Sequence, residues 1–160
     1  MTPADPGDVP LVCCVGDLVE DIVVHAVEPL HRDADVRARI ERHRGGSAAN
    51  TAAAVARLGG RARFVGRVGA DDTGTHLLES LVALGVEHAG PRAGRTGTVV
   101  VVVEPGGERT MFSDRGATDE LTHTDADPAW LEGTGAVHVP YYAVADAPDG
   151  AEHALLDIAR

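Results

Sequence analysis

The sequence predicts an α/β fold built around a parallel sheet, and three observations point to it. Short, continuously apolar runs such as Leu11-Val12-Cys13-Cys14-Val15 lack the alternation of a half-exposed strand and suit strands covered on both faces. Helix-period segments separate those runs: an alanine-rich stretch over 48–58, and a second in which Leu77, Leu78, Leu81 and Leu84 line one side. Glycine punctuates the junctions, at Gly16, Gly59, Gly69 and Gly85, as strands alternating with helices require.

With 160 residues, 44% of them hydrophobic and 24% charged, the chain has material for one domain with a real core. It carries 14 basic against 25 acidic residues, for a net charge of −11, and every basic residue is arginine. So acidic a surface argues against nucleic acid or an anionic membrane as a partner, and the absence of lysine excludes a P-loop lysine and Schiff-base chemistry. Cys13 and Cys14 are adjacent and cannot sensibly pair, there is no leader-like segment, and no apolar stretch approaches the length of a membrane span; the cytoplasm is expected. The 8 histidines show no metal-ligand spacing with cysteine or with each other, so no metal site is expected.

Residues 1–9, rich in proline and polar residues, read as a disordered tail ahead of a domain over 10–160. The first strand, 11–15, ends at Gly16-Asp17-Leu18-Val19-Glu20-Asp21. In open α/β sheets ligands bind at the carboxyl ends of strands, so these acidic groups are placed to accept hydrogen bonds from hydroxyls. A solvated turn is the competing reading for Asp17 and Glu20. Val36–Glu41 alternates with period two and predicts a half-exposed strand.

Gly45-Gly46-Ser47-Ala48-Ala49-Asn50 then opens the first helix. The glycine pair allows close approach of a ligand to the backbone, Ser47 is expected to cap the helix, and Asn50 falls in the first turn at the positive dipole end. A plain strand-to-helix turn uses the same residues. Arg61–Val68 predicts a second core strand, and Asp71 or Asp72 an N-cap for the second helix. Thr98–Val103 and Arg109–Asp114 form a hairpin whose Glu104-Pro105-Gly106-Gly107 link suggests a type II turn. Ala136–Val139 is a further core strand, and Asp149–Arg160 has the pattern of a crossover helix after which another parallel strand is expected.

The run Gly45-Gly46-x-Ala48-x-Asn50-x-Ala52, followed by Gly59 and Gly69, resembles the first signature of the ribokinase-like, or PfkB, family of carbohydrate and nucleoside kinases, with every fixed position filled. Arg115-Gly116-Ala117-Thr118 resembles the Arg-Gly-Ala-Asn element beside the substrate in sugar kinases, departing from it at Thr118. Gly69-Ala70-Asp71 is not the family's Gly-Ala-Gly-Asp catalytic motif, lacking the second glycine and lying in the other half of the fold, and no Gly-x-Gly-x-x-Gly run supports a dinucleotide site.

The resemblance implies a ribokinase-like three-layer α/β/α core, Rossmann-like in construction, with a small β-sheet lid from strands at about 20–44 and 96–116, and with the C-terminal half of the family fold missing. It implies ATP- and Mg²⁺-dependent phosphorylation of a sugar or nucleoside hydroxyl. It also implies substrate contacts from Asp21, Gly45, Gly46, Asn50, Arg115, Gly116 and a tyrosine after the last strand, Tyr141 or Tyr142. The family's catalytic aspartate, phosphate-holding amides and adenine pocket fall beyond residue 160, so no catalytic residue and no strong nucleotide binding are expected in this chain. A non-catalytic sugar-binding or dimerising module, paired through the lid strands, is the alternative. Ser47 replaces the lysine common in ribokinases proper, which weakens ribose as substrate without naming another sugar.

Overall fold

A computed structural model describes residues 9–141 together with Ala143, Gly150, His153, Leu155, Leu156 and Ala159. The expected tail over 1–8, Tyr142 and most of the expected helix over 149–160 lie outside the described residues.

Two four-stranded sheets organise the described residues. The first is all parallel, and its strands are β1 (Leu11–Val15), β4 (Arg61–Val65), β5 (Glu87–Ala89) and β8 (Thr134–His138) in the order β5-β4-β1-β8. β1 sits at its centre, and the alternating directions of its side chains build a core on each face. Cys14 packs with Phe64, Ala62 and the apolar faces of helices α1 (Ser47–Arg57) and α2 (Asp72–Val82). Cys13 and Val15 face the other way, onto Val65, Leu155, Trp130 and Leu131. The two covered faces give the three-layer arrangement that the resemblance implies. Among the described residues no helix is long and apolar enough to cross a membrane.

The second sheet is the lid. Its strands are β2 (Val19–Ala26), β3 (Ala38–Gly45), β6 (Thr96–Val103) and β7 (Arg109–Gly116), in the order β3-β2-β6-β7 with β2 and β6 parallel and the outer pairs antiparallel. β2 leaves β1 after only the bend at Gly16–Leu18, and β3 returns into α1 through Gly46, so short links join lid and core at this point.

Four local expectations are corrected. The period-two strand is longer than Val36–Glu41 and runs to Gly45, because full pairing with β2 extends it past the apolar alternation. The second core strand stops at Val65, with Val68 making only an isolated bridge to Arg92. In the hairpin, Gly107 N–H donates to Glu104 O at 2.8 Å and the left-handed residue is Gly107 (φ 90), not Gly106. That is a type I turn followed by a bulge glycine, not the type II turn that proline-glycine suggests. The cap of α1 is also not as expected: Gly46, with φ 98, holds the N-cap position and Ser47 is the first helical residue.

Candidate functional site

A cavity of about 470 Å³ opens where the carboxyl end of β1, the N-terminus of α1 and the inner face of the lid meet. β1 lies between β4, which follows it on one side, and β8 on the other, so this end of β1 is a topological switch point of the kind where open α/β sheets bind ligands. Its volume falls in the range of small-molecule sites.

The floor comes from the Gly16–Leu18 bend and α1. Asp17 caps the helix at long range: Ala48 N–H donates to its Oδ1 at 3.2 Å, and Ala49 N–H to its backbone carbonyl at 3.3 Å. This satisfies helix-start donors that Ser47 leaves alone, and it frees Ser47 and Asn50 to line the cavity. Gly46 is required twice over. Its φ of 98 is left-handed, and a Cβ there would strike the carbonyl of Asp17. At Gly45 the backbone is unremarkable in φ, but a Cβ would run into the carboxylate of Asp21.

The roof is the inner lid face. Register places Asp21 opposite His43 on β3 and Val99 on β6, and Val99 opposite Ser113 on β7, so all four side chains point to one side. Asp21, Val99 and Ser113 line the cavity with Val19, Met111 and Arg115. Arg115 Nε lies 3.1 Å from Asp119. Burial pushes the Asp21 carboxyl above its ordinary pKa, the nearby Asp17 adds to the rise, and His43 opposes it.

The sequence-predicted residues therefore divide. Asp21, Gly46, Asn50 and Arg115 meet around one cavity, with Gly45 directly behind Asp21. Gly116 does not line it; with φ 52 and the Arg95 carbonyl against its α-carbon, it turns the chain at the end of β7. Tyr141 is 77% exposed and is not among the lining residues. Met111, Ser113, Val99 and Val19 were not anticipated, although the alternation of Arg109–Arg115 puts 111, 113 and 115 on one face once the register is known.

Nothing among the described residues suits a divalent metal: no group of three His, Cys, Asp or Glu side chains converges. Asp17 has one carboxylate oxygen committed to α1, and Asp21 stands without a third acidic partner. No step through Mg²⁺ or a nucleotide follows from the described residues.

Fold and site together define an α/β domain with a sheet lid over a cavity rimmed by hydrogen-bonding groups. The chain belongs to the pfkB family of carbohydrate kinases, whose family model matches residues 9–160. It is 38% identical over 93 residues to a fructokinase of Escherichia coli, covering 56% of this chain and 30% of that protein. It is 33% identical over 135 residues to fructokinase-1 of Oryza sativa, covering 80% and 40%. Among solved structures, a probable sugar kinase of Rhizobium etli aligns with a TM-score of 0.74 at 27% identity, covering 95% of this chain and 52% of that one. The ribokinase of Giardia lamblia aligns with a TM-score of 0.82, covering 93% and 50%; at 20% identity it speaks to the fold alone. The chain spans about half or less of the length of these relatives.

Proposed function

We propose that this chain is the substrate-holding half, with its lid, of a carbohydrate kinase that transfers the γ-phosphoryl group of ATP to a sugar hydroxyl. The observation that supports this best is the convergence of Asp21, Asn50, Gly46 and Arg115 on one cavity that also has an apolar patch, Val19, Val99 and Met111. A sugar has that same division: hydroxyls on its rim and C–H bonds on its faces. Asp21 accepts hydrogen bonds from two hydroxyls, the Asn50 amide both donates and accepts, Arg115 and Ser113 donate, and the lid valines cover the ring and exclude water.

ATP, bound with Mg²⁺, supplies the phosphoryl group in the complete enzyme. The general base and anion hole belong to that other half, and they are worth on the order of 10² to 10⁴ and 10² to 10³ in rate respectively. This chain alone therefore binds sugar and does not turn it over.

The test is calorimetric titration of the 160-residue chain with fructose, ribose and a nucleoside. Saturable binding of one of them, lost in the Asp21→Ala/Asn50→Ala pair, is expected. Unchanged affinity in the double variant would overturn the site.

A second reading, homodimerisation through the lid, has its own support. Ile40 and Phe112 are each 62% exposed on the lid face turned away from the cavity, flanked by Ile22, Val24, Val100 and Val102 on that face. Such a contiguous apolar face is uncommon on a monomer. Light scattering should give twice the monomer mass, and Phe112→Glu should return it to the monomer's.

A further inference from the structure

Behind the lid lies a second, smaller cavity, of about 200 Å³, between the root of the lid and α2. Arg42 and Arg44, two apart on β3, line it from one side; His76 and Ser80, four apart on α2, line it from the other. The carboxylate at its edge, Glu20, is taken up by Arg42 at 2.8 Å. Arg44 reaches Ser80 Oγ with Nη1 at 3.4 Å, yet its Nε is buried and has no acceptor. Burial, and then the positive charge of Arg57 at the end of α1, pull the Arg44 guanidinium below its ordinary pKa. Ser80 Oγ gives its own proton to the Leu77 carbonyl at 2.6 Å, and two guanidinium groups face the hollow against the one carboxylate of Glu20, a local positive excess in a chain of net charge −11.

A water molecule in the cavity would leave its positive excess as it is, whereas a tetrahedral oxyanion accepts several donors at once, the outer guanidinium nitrogens of Arg44 first among them, and its charge offsets that excess. We infer that this cavity binds a small phosphate-type oxyanion, free or as the terminal group of a phosphomonoester, with Arg44 as the principal donor and Arg42, His76 and Ser80 around it. The inference stands apart from the sugar-site reading: the two cavities lie on opposite faces of β2, with Glu20 turned to one and Asp21 to the other.

The experiment is an NMR titration of the ¹⁵N-labelled 160-residue chain with sodium phosphate and, separately, with glycerol 3-phosphate, each against sodium chloride at matched ionic strength. Saturable shifts confined to the amides around Arg44, His76 and Ser80 are expected, and the tighter of the two ligands identifies the source. Arg44→Gln should weaken binding about tenfold or more, as loss of a charge-assisted donor does, while Arg115→Lys should leave it unchanged. Should Arg44→Gln fail to fold, Arg44→Lys keeps the charge but loses the forked guanidinium donors, and it too should bind more weakly. Shifts reproduced by chloride, saturable shifts centred on Asp17, Asn50 and Arg115, or wild-type affinity in Arg44→Lys would each overturn the inference.

Discussion

Asp71 ties the start of α2 to the start of a lid strand through Thr96. Its carboxylate accepts the N–H of Gly74 at 2.8 Å, which caps the helix, and also the N–H of Thr96 at 2.8 Å and the Thr96 hydroxyl. Gly69 and Gly74 leave room for this: a Cβ on either would collide with Thr96 or with the Gly69 backbone. Burial alone would raise the Asp71 pKa, but the hydrogen bonds from the Thr96 hydroxyl, the Thr96 N–H and the Gly74 N–H outweigh it and hold the carboxyl below the ordinary value.

Asp71→Ala should therefore destabilise the chain by about 2 kcal/mol, combining a lost N-cap with a backbone donor left unmet at Thr96. The sign with pH follows from the depressed native pKa: the stabilisation is complete above the unfolded value of about 3.9 and is lost as pH falls through the lower native one. Urea unfolding at neutral and acid pH measures both; a wild-type midpoint in Asp71→Ala at pH 7 would refute the coupling.

The two glycines ahead of α1 should fail differently. Gly46→Ala forces a left-handed φ on a residue with a Cβ and meets the Asp17 backbone, at a cost of about 1–3 kcal/mol. Gly45→Ala meets only the mobile end of the Asp21 side chain, which can swing aside. It should leave the thermal midpoint within a degree or two of wild type, a shift that corresponds to a few tenths of a kcal/mol, and should weaken sugar binding by displacing Asp21. Equal thermal losses in the two variants would contradict this division.

These contrasts mark what was legible in the residues themselves. Asp71 as a cap, and the nearness of Gly46 to Asn50, rest on short-range patterns that survive folding almost unaltered, whereas the grouping of Asp21 with them came only through the family resemblance. Ser47 misled because the acceptor for the α1 start comes from Asp17, 31 residues away in the chain. Met111 and Ser113 could not be assigned to the cavity until the β6–β7 register fixed which face they share with Val99. β5, with three residues, carries too few side chains for any periodicity, and the Glu104–Gly107 turn differs from its proline-glycine expectation by the orientation of its central peptide, with the positive φ at Gly107 instead of Gly106.

Arg63 should prove to be a structural clasp. From β4 it donates through Nη1 to the carbonyls of Trp130 at 2.8 Å and Glu132 at 3.0 Å, and through Nε and Nη2 to Glu87 Oε2 at 2.9 and 2.7 Å. A lysine has one charged nitrogen and cannot span both sets. Arg63→Lys should cost about 1–2 kcal/mol in denaturant unfolding, with sugar affinity unchanged because the contacts lie away from the cavity.

The vicinal thiols offer a direct reading of whether this half of the fold packs without the rest. Burial pushes Cys13 up to about 11, against a small lowering by Arg63, and pushes Cys14 up to about 12 with Cys13 adding to it. Both are fully enclosed in the sheet. At pH 8 a packed chain should therefore react with a thiol reagent only at the rate of its own unfolding. Prompt reaction of both thiols would mean a loosely packed sheet, and would count against sugar binding by the isolated chain.

Asp21 should show opposite effects on stability and on binding. Its native pKa is raised, so the folded state holds a proton more tightly than the unfolded one, and stability falls as pH rises from about 3.9 through the native value. At neutral pH the ionised group therefore counts against the fold, a cost that the proposed hydroxyl-binding role of Asp21 would explain. Asp21→Asn removes that cost and keeps the shape. The variant should be more stable than wild type at pH 7, with the difference closing below about pH 4 where the wild-type carboxyl is protonated in both states. Its sugar affinity should fall about tenfold to a hundredfold, the loss expected when a charged acceptor is replaced by a neutral one. Thermal unfolding across pH, beside calorimetry with the sugar, decides it: a variant that is less stable at pH 7, or that binds as well as wild type, would show that Asp21 is held in place for the fold and not for a ligand.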